Sequence, residues 1–302
     1  MAETSASGDR LMLFPPDFLT RLEYLSLVSK RVFRGQLLAQ RRSQQMGSGI
    51  EFSEHREYNR GDDLRYLDWN IYARHGDLLL RRFQEEQDLQ VHLLLDCSRS
   101  MGFGQPAKFD LARQLAAALA YIALADLDRI SIAAYADGLL TELPVSRGRA
   151  RIISIMKFLE NLQPSGQETN LEKALQELLH RSPRTGLAIV ISDLFDGRGF
   201  QRGLDLLRYR QFDVQVIQLH DPREAQPEIR GDAELFDMET ESVRNVTVSE
   251  RTLSTYQQLF QQHQAAVRDY CRHYSIGCTQ SSSVIRFDEL ILRMMREARS
   301  ER

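Results

Sequence analysis

Three oxygen-bearing side chains at alternate positions follow an apolar run in the first third of the chain. Asp96, Ser98 and Ser100 come directly after the leucines at 93–95 in the segment VHLLLDCSRS. Such a run is typical of a strand buried on both faces of a parallel sheet, and loops at the carboxyl ends of such strands collect ligand-binding groups. Carboxylate and hydroxyl oxygens are hard ligands that suit magnesium, manganese or calcium better than zinc or copper. These residues therefore predict a divalent-cation site.

Two distant residues extend this candidate set. Thr169 precedes the helical pattern NLEKAL, and Asp193 follows a second apolar run, residues 187–191, in LAIVISDLFDG. Each residue also has a simpler explanation, because Thr169 with Glu172 has the spacing of a helix capping box and Asp193 could stabilise a turn. The appearance of all the pieces in one order favours a metal site made of Asp96, Ser98, Ser100, Thr169 and Asp193.

That order of residues resembles the metal-ion-dependent adhesion site of von Willebrand factor A domains. The shared features are a strand followed by Asp-x-Ser-x-Ser, then a threonine that opens a helix, then an aspartate at a strand end. The resemblance implies a bound Mg²⁺ (or Mn²⁺) ion whose coordination sphere is completed by an acidic side chain of a partner protein. Magnesium usually keeps some of its water ligands, so one position is open to an external carboxylate.

An enzymatic alternative is a metal-dependent phosphoryl or ester hydrolase with Asp96 as the nucleophile. The residues beside Asp96 are Cys97, Ser98 and Arg99, so the second acid that such chemistry needs is not adjacent. A Walker-type phosphate loop, a G-x-S-x-G elbow and an H-E-x-x-H helix do not occur in the sequence. We therefore expect a binding protein rather than an enzyme, and a purely structural domain with a vestigial site stays open as a third class.

The elements that must position these residues alternate between strands and helices. Strand patterns at 130–136, 187–191 and 214–219 are separated by helical patterns, which predicts an α/β fold with a largely parallel sheet covered by helices on both faces. Residues 141–144 end on a proline and predict a short edge strand. Beyond residue 220 we expect a hairpin at 235–248, a long helix with its apolar stripe from Leu253 to Tyr274, a helix stop at Gly277 and a final helix.

Residues 51–86 combine many charges of both signs with aromatic side chains, which is typical of neither a linker nor a simple core. We expect ion pairs to fasten this segment to the following domain, with a partner-binding surface as the alternative; the charged residues concerned are Arg56, Asp62, Asp63, Arg65, Asp68 and Arg74.

The run REYNRGDDLRYLDWNIYAR, followed by LLLDCSRSM, resembles the signature of the bacterial domain family of unknown function numbered fifty-eight. That resemblance covers residues 45–240 and implies an association with MoxR-type AAA+ ATPases.

Three divisions of the chain follow from these patterns. Residues 1–88 are predicted to be a helical and charged segment packed on the main domain, 89–221 a von Willebrand factor A-like domain, and 222–302 a hairpin and helices that complete it. The basic patch between Lys30 and Arg42 carries no nucleic-acid motif, so a solvated or salt-bridged face is favoured there.

The composition is that of a soluble globular protein. The chain has 302 residues, 42% of them hydrophobic, and its 39 basic and 42 acidic residues give a net charge of −3, which favours neither a nucleic-acid nor a membrane partner. The first ten residues lack the pattern of a secretory signal, and three cysteines make no disulfide framework, so we expect a cytoplasmic protein. The sequence thus predicts a metal-dependent adaptor or chaperone-like partner of a MoxR-type AAA+ ATPase, with the ATPase or its client supplying the acidic ligand.

Overall fold

The computed structural model describes residues 13–28, 51–59, 61–84, 90–126, 128–166, 168–181, 184–236 and 243–300. By its internal contacts the chain divides into two compact units, one made of residues 1–28 and 89–302 and the other of residues 29–88. The three-part division made from the sequence stays a prediction. The basic patch between Lys30 and Arg42 lies outside the described residues.

The described strands and helices are numbered in chain order. The strands are β1 (Glu51–Glu57), β2 (Leu79–Gln84), β3 (Gln90–Asp96), β4 (Arg129–Tyr135), β5 (Leu139–Arg147), β6 (Leu187–Ser192), β7 (Asp213–His220), β8 (Gly231–Phe236), β9 (Val243–Val248) and β10 (Gly277–Ser282). The helices are α1 (residues 18–28), α2 (Trp69–His75), α3 (Lys108–Ala125), α4 (Ile152–Asn161), α5 (Leu171–Arg181), α6 (Gln201–Tyr209), α7 (Pro222–Ala225), α8 (Glu250–His273) and α9 (Phe287–Ser300).

The larger unit is built on a six-stranded sheet with the order β10-β7-β6-β3-β4-β5. All its strand pairs are parallel except β4 with β5, which is antiparallel. Every residue of β3 is buried, as expected for a strand at the centre of a sheet that is covered on both sides. The predicted α/β class with a largely parallel sheet is therefore confirmed.

Helices cover both faces of this sheet. Successive side chains of β3 point to opposite faces, so Leu94 belongs to one layer of core and Leu93 and Leu95 to the other. Leu94 packs in a buried cluster with residues of α5, α6 and α8, among them Leu175, Leu204 and Val267. The alanine-rich helix α3 packs along β3 and β4, and its alanines let the helix backbone approach the strands closely.

Several predicted elements have different bounds in the structure, and some of the described elements were not predicted. The edge strand β5 is present, but it is longer than residues 141–144, and the first hairpin strand, β8, begins earlier than residue 235. Helix α8 matches the predicted long helix and buries Phe260 and Val267 of the predicted stripe, together with Cys271, which was not part of that stripe. Helix α6 and strand β10 were missed. In the case of β10 the reason is its polar sequence, GCTQSS, which carries no hydrophobic pattern. Gly277, predicted as a helix stop, is the first residue of β10.

The smaller unit contains the antiparallel pair β1 and β2 and the short helix α2. Its ion pairs join Arg56 to Asp62 at 2.7 Å, Arg65 to Asp63 at 2.6 Å, and Arg81 to Asp68 at 2.9 Å. Five of the six predicted charged residues thus pair within the segment, namely Arg56, Asp62, Asp63, Arg65 and Asp68, and the pairing of Arg74 stays a prediction. That such pairs also fasten the segment to the following domain stays a prediction.

Asp68 makes several polar contacts within the described part of this unit. One carboxylate oxygen accepts the backbone N–H groups of Asn70 and Ile71 at 3.0 and 3.2 Å, which caps α2. The other oxygen accepts from Arg81 and lies 3.1 Å from the ring of His55. The hydrogen bond from Arg81 is the largest of the effects that hold the pKa of Asp68 well below its ordinary value.

Replacing Asp68 with alanine is expected to accelerate amide hydrogen exchange in α2 severalfold, because the first-turn N–H groups lose their acceptor. The lowered pKa means that this carboxylate stabilises the fold above the unfolded-state pKa and that its contribution disappears as pH falls. The difference between wild type and variant should therefore shrink in acid. Asp63→Ala is the matched control, since Asp63 pairs with the exposed Arg65; equal exchange in both variants would contradict the capping role of Asp68.

Candidate metal centre at the strand ends

Asp96 is the last residue of β3, and its side chain is completely buried. One carboxylate oxygen accepts the backbone N–H of Ser98 at 2.8 Å, and the other accepts the hydroxyl of Ser192 at 2.5 Å. Burial, followed by the nearby Asp193 carboxylate, raises the pKa of Asp96 to about 7. A carboxylate in such a place is stabilised by any cation that reaches it.

Ser98 and Ser100 lie in the turn that follows β3. The two hydroxyl oxygens are 3.0 Å apart, and Ser98 is buried while Ser100 is partly exposed. The Ser98 hydroxyl also lies close to the Asp96 carboxylate, where its hydrogen bonding acts to lower the pKa of Asp96 and so opposes the effect of burial. The alternate spacing of Asp96, Ser98 and Ser100 therefore gathers three oxygen-bearing groups, as expected for side chains leaving a strand end.

Asp193 reaches the same region from the neighbouring strand. β6 pairs with β3 so that Leu95 lies beside Ile191, and Asp193 follows the last residue of β6. Its side chain is completely buried. One oxygen accepts the N–H of Phe195 at 3.2 Å, so the predicted turn contact exists, while the other oxygen is bound to a lysine described below.

Thr169 is buried on the loop between α4 and α5. This loop is tied to the sheet, because Ser165 donates its N–H to the carbonyl of Cys97 at 2.6 Å and Asn170 donates to that of Ala136 at 2.7 Å. The side chain of Asn170 accepts the N–H of Lys173 at 3.0 Å and so caps α5. The residue that caps α5 is thus Asn170 rather than Thr169. Membership of Thr169 in a metal ligand set stays a prediction.

A buried lysine that the sequence analysis missed lies at this centre. Lys108 is the first residue of α3 and is fully buried, and its Nζ lies 2.8 Å from Oδ2 of Asp193 and 2.5 Å from Oε1 of Glu224. Burial alone would lower the pKa of Lys108, but the two carboxylates outweigh burial and raise it above its ordinary value. The ammonium group is therefore charged. The sequence did contain an indication that Lys108 is buried. Lys108 lies three residues before Leu111 and seven before Leu115, which places it on the apolar stripe of α3.

A third strand brings another acidic pair to the same edge. β7 is followed by Asp221, whose carboxylate accepts the N–H of Arg223 at 2.9 Å, while Glu224 accepts the N–H of Asp221 at 2.8 Å. These reciprocal bonds start the short helix α7. Glu224 thus uses one oxygen for Asp221 and the other for Lys108. The strands β3, β6 and β7, which are neighbours in the sheet, each lead into a buried aspartate.

The donor set suits a hard divalent cation. The two carboxylates and two hydroxyls offer a metal ion only oxygen ligands. The set contains only two acidic residues, and within the described ranges no three His, Cys, Asp or Glu residues are grouped so as to hold a metal by themselves. The hydroxyl of Tyr135 is buried close to Asp96 and makes no hydrogen bond inside the described part of the chain. A buried hydroxyl of this kind is a place where another polar group can be accommodated. Asp96, Ser98, Ser100 and Asp193 therefore fit Mg²⁺ or Mn²⁺.

Comparison with known sequences identifies the family. The family described as "Protein of unknown function DUF58" matches residues 54–266, more than half of the chain. The chain belongs to this family. This DUF58 chain is 27% identical over 256 residues to an uncharacterised protein of Mycobacterium bovis, with 83% of this chain and 80% of that protein covered.

Two solved structures similar to this DUF58 chain show the range of likeness. The conserved hypothetical protein BatB from Bacteroides thetaiotaomicron is 18% identical with a TM-score of 0.44, covering 70% of this chain and 99% of that one. The manganese-loaded TRAP protein of Plasmodium vivax is 18% identical with a TM-score of 0.34, covering 43% and 57%. Similarity at this level does not bear on what the DUF58 chain binds. Among its described helices, none combines the length and the apolar character needed to cross a bilayer.

Proposed function

We propose that this chain is a von Willebrand factor A-like protein-interaction module whose binding site is completed by Mg²⁺ or Mn²⁺. One observation carries the proposal. Two buried carboxylates, Asp96 and Asp193, lie at the ends of neighbouring parallel strands, and the Ser98 and Ser100 hydroxyls lie beside the first of them. The raised pKa of Asp96 is the mark of an anion that burial leaves short of positive charge.

The residues of the site have separate roles in this proposal. Asp96 and Asp193 supply the negative charge, and the hydroxyls of Ser98, Ser100 and Thr169 supply neutral oxygen ligands. A divalent ion held by these groups has little net charge left to neutralise, and it provides an open position for an oxygen ligand of another protein. The partner must then present an Asp or Glu side chain.

We propose a MoxR-type AAA+ ATPase, or a client protein of it, as the source of that acidic side chain. The support is the resemblance of the sequence between residues 45 and 240 to a family associated with such ATPases. In this role the chain acts in the cytoplasm as an adaptor or chaperone-like partner. Chelation should weaken the complex and Mg²⁺ should restore it, whereas salt should weaken exposed charge pairs without such selectivity.

The hydrolase alternative gives Asp96 the role of nucleophile, and its local environment offers less support. Both carboxylate oxygens of Asp96 already accept short hydrogen bonds, and the side chain is completely buried. A raised pKa also keeps the group protonated, and so less nucleophilic, up to neutral pH. Incubation with a panel of phosphoesters and Mn²⁺ tests it directly, since reproducible turnover that is lost in Asp96→Asn would favour the enzyme over the adaptor.

Calorimetric titration of MgCl₂ and MnCl₂ into chelator-treated protein tests the metal site itself. Asp96→Asn is expected to weaken binding at least about tenfold, because even residues that only support metal ligands contribute that much. Asp137→Asn is the matched control, since Asp137 follows the adjacent strand β4 but is exposed. Identical titration curves for the two variants would refute the site. Co-purification of the ATPase that ignores both chelator and Asp96→Asn would refute the metal-dependent contact.

A further inference from the structure

The ammonium group of Lys108 lies on one of the proposed metal ligands. Its Nζ is 2.8 Å from Oδ2 of Asp193, and both side chains are fully buried. In the interior, the attraction between such a pair is weakly screened, so Lys108 already supplies Asp193 with a counter-charge. A divalent ion that binds Asp193 meets this charge at close range.

A second carboxylate gives the ammonium group an alternative partner. Glu224 Oε1 lies 2.5 Å from Lys108 Nζ, and Glu224 is less buried than Asp193. Its other oxygen accepts the N–H of Asp221 and is fixed by the start of α7. Lys108 can therefore give up its bond to Asp193 without becoming a buried charge with no partner, which would be far more costly.

We propose that Lys108 is an internal cation that competes with the divalent ion for Asp193, and that Glu224 retains the ammonium group when the ion binds. This inference rests on the proposed function, since it describes the regulation of the same site. Lys108 then sets the divalent concentration at which the site fills.

Lys108→Met is the decisive variant, because methionine is long and unbranched like lysine but carries no charge. Manganese is the probe, since it is a hard ion that favours oxygen ligands over the thioether of methionine. Calorimetric titration of MnCl₂ into chelator-treated protein is expected to show binding at least about tenfold tighter in Lys108→Met than in wild type, a typical coupling between two sites. Lys157→Met is the matched control, because Lys157 is exposed on α4 and should leave the affinity unchanged.

Glu224→Gln tests the same mechanism in the opposite direction. Without the Glu224 carboxylate, the ammonium group depends on Asp193 alone, so Mn²⁺ should bind more weakly than in wild type. In the Lys108→Met background the same substitution should have little effect, since no ammonium group remains to be retained. If Lys108→Met does not fold, as judged by circular dichroism, the result for Glu224→Gln decides the question: weaker binding supports the mechanism and unchanged binding overturns it.

The outcomes separate this mechanism from the metal site. Wild-type binding that is neither tightened by Lys108→Met nor weakened by Glu224→Gln overturns the competition and leaves the site in place. Failure of wild type and both variants to bind Mn²⁺ overturns the site and the competition together. Tighter binding in Lys108→Met, with wild-type binding in Lys157→Met, supports both.

Discussion

Asp96→Asn is expected to stabilise the metal-free protein at pH 8 by on the order of 2 kcal/mol, while it weakens divalent-cation binding. The folded protein holds the pKa of Asp96 at about 7, against an ordinary value of 3.8 for an aspartate side chain. Between these values the folded state binds a proton that the unfolded state has lost, so the stability of the wild type falls as pH rises from about 4 to about 7. Asparagine is uncharged at every pH, and its side-chain oxygen can still accept the N–H of Ser98.

Urea denaturation in the presence of chelator at pH 5 and pH 8 measures this effect. The variant and the wild type should differ most at pH 8 and least at pH 5, and Asp137→Asn should follow the wild type at both. Added Mn²⁺ should stabilise the wild type, since it binds only the folded state, and should stabilise Asp96→Asn less at the same concentration. A variant that is less stable than the wild type at pH 8 would show that the carboxylate of Asp96 is a structural group with sufficient compensation inside the chain.

Gly186→Ala is expected to destabilise the sheet of the larger unit by roughly 3 kcal/mol, because the added methyl group would clash with the backbone of the neighbouring strand. A Cβ atom at this position would lie 2.1 Å from the backbone carbonyl oxygen of Gln90. The carbonyl of Gly186 also accepts the N–H of Asp213 at 3.0 Å. The glycine therefore holds the amino-terminal ends of β3, β6 and β7 together, and neither backbone can move away without loss of strand pairing.

Gly197→Ala is the matched control for that substitution. A Cβ atom at Gly197 would meet no atom within 4 Å, and its backbone is not in the left-handed region. The alanine there should leave the free energy of unfolding unchanged or raise it by about 0.5 kcal/mol, because alanine lowers the conformational entropy of the unfolded chain. Equal thermal unfolding of the two variants would contradict the tight approach of Gly186 to Gln90.

The sequence predicted the centre of the fold because its signals are local. β3 and β6 are short apolar runs that end on polar residues, so the strands and the acidic groups after them could be identified together. Lys108 and Glu224 were missed because their contacts are not local: Lys108 meets Asp193 across 85 positions and Glu224 across 116. A lysine on an apolar helical stripe indicates that a buried partner exists, but it does not say which carboxylate it is.

The errors at the edges of the sheet have a different cause. β10 lies at the edge of the described sheet and most of its side chains are polar, although Thr279 and Ser281 are buried. Its sequence therefore has neither an apolar run nor a clear alternation of apolar and polar residues. The residue that caps α5 was misplaced by one position, since Thr169 and Asn170 are both common cap residues and the chain geometry selects Asn170. Such choices between adjacent residues depend on the path of the loop, which is determined by its bonds to the ends of β3 and β4.

The position of β10 has a consequence for how the protein is made on the ribosome. β10 covers the outer side of β7, yet more than fifty residues, including the hairpin β8–β9 and the long helix α8, are synthesised between the two strands. Until β10 emerges, the backbone N–H and C=O groups along one side of β7 have no strand partner, which is the condition under which edge strands pair with other chains. Nascent chains stalled before residue 277 should therefore need chaperone protection that the completed chain does not need.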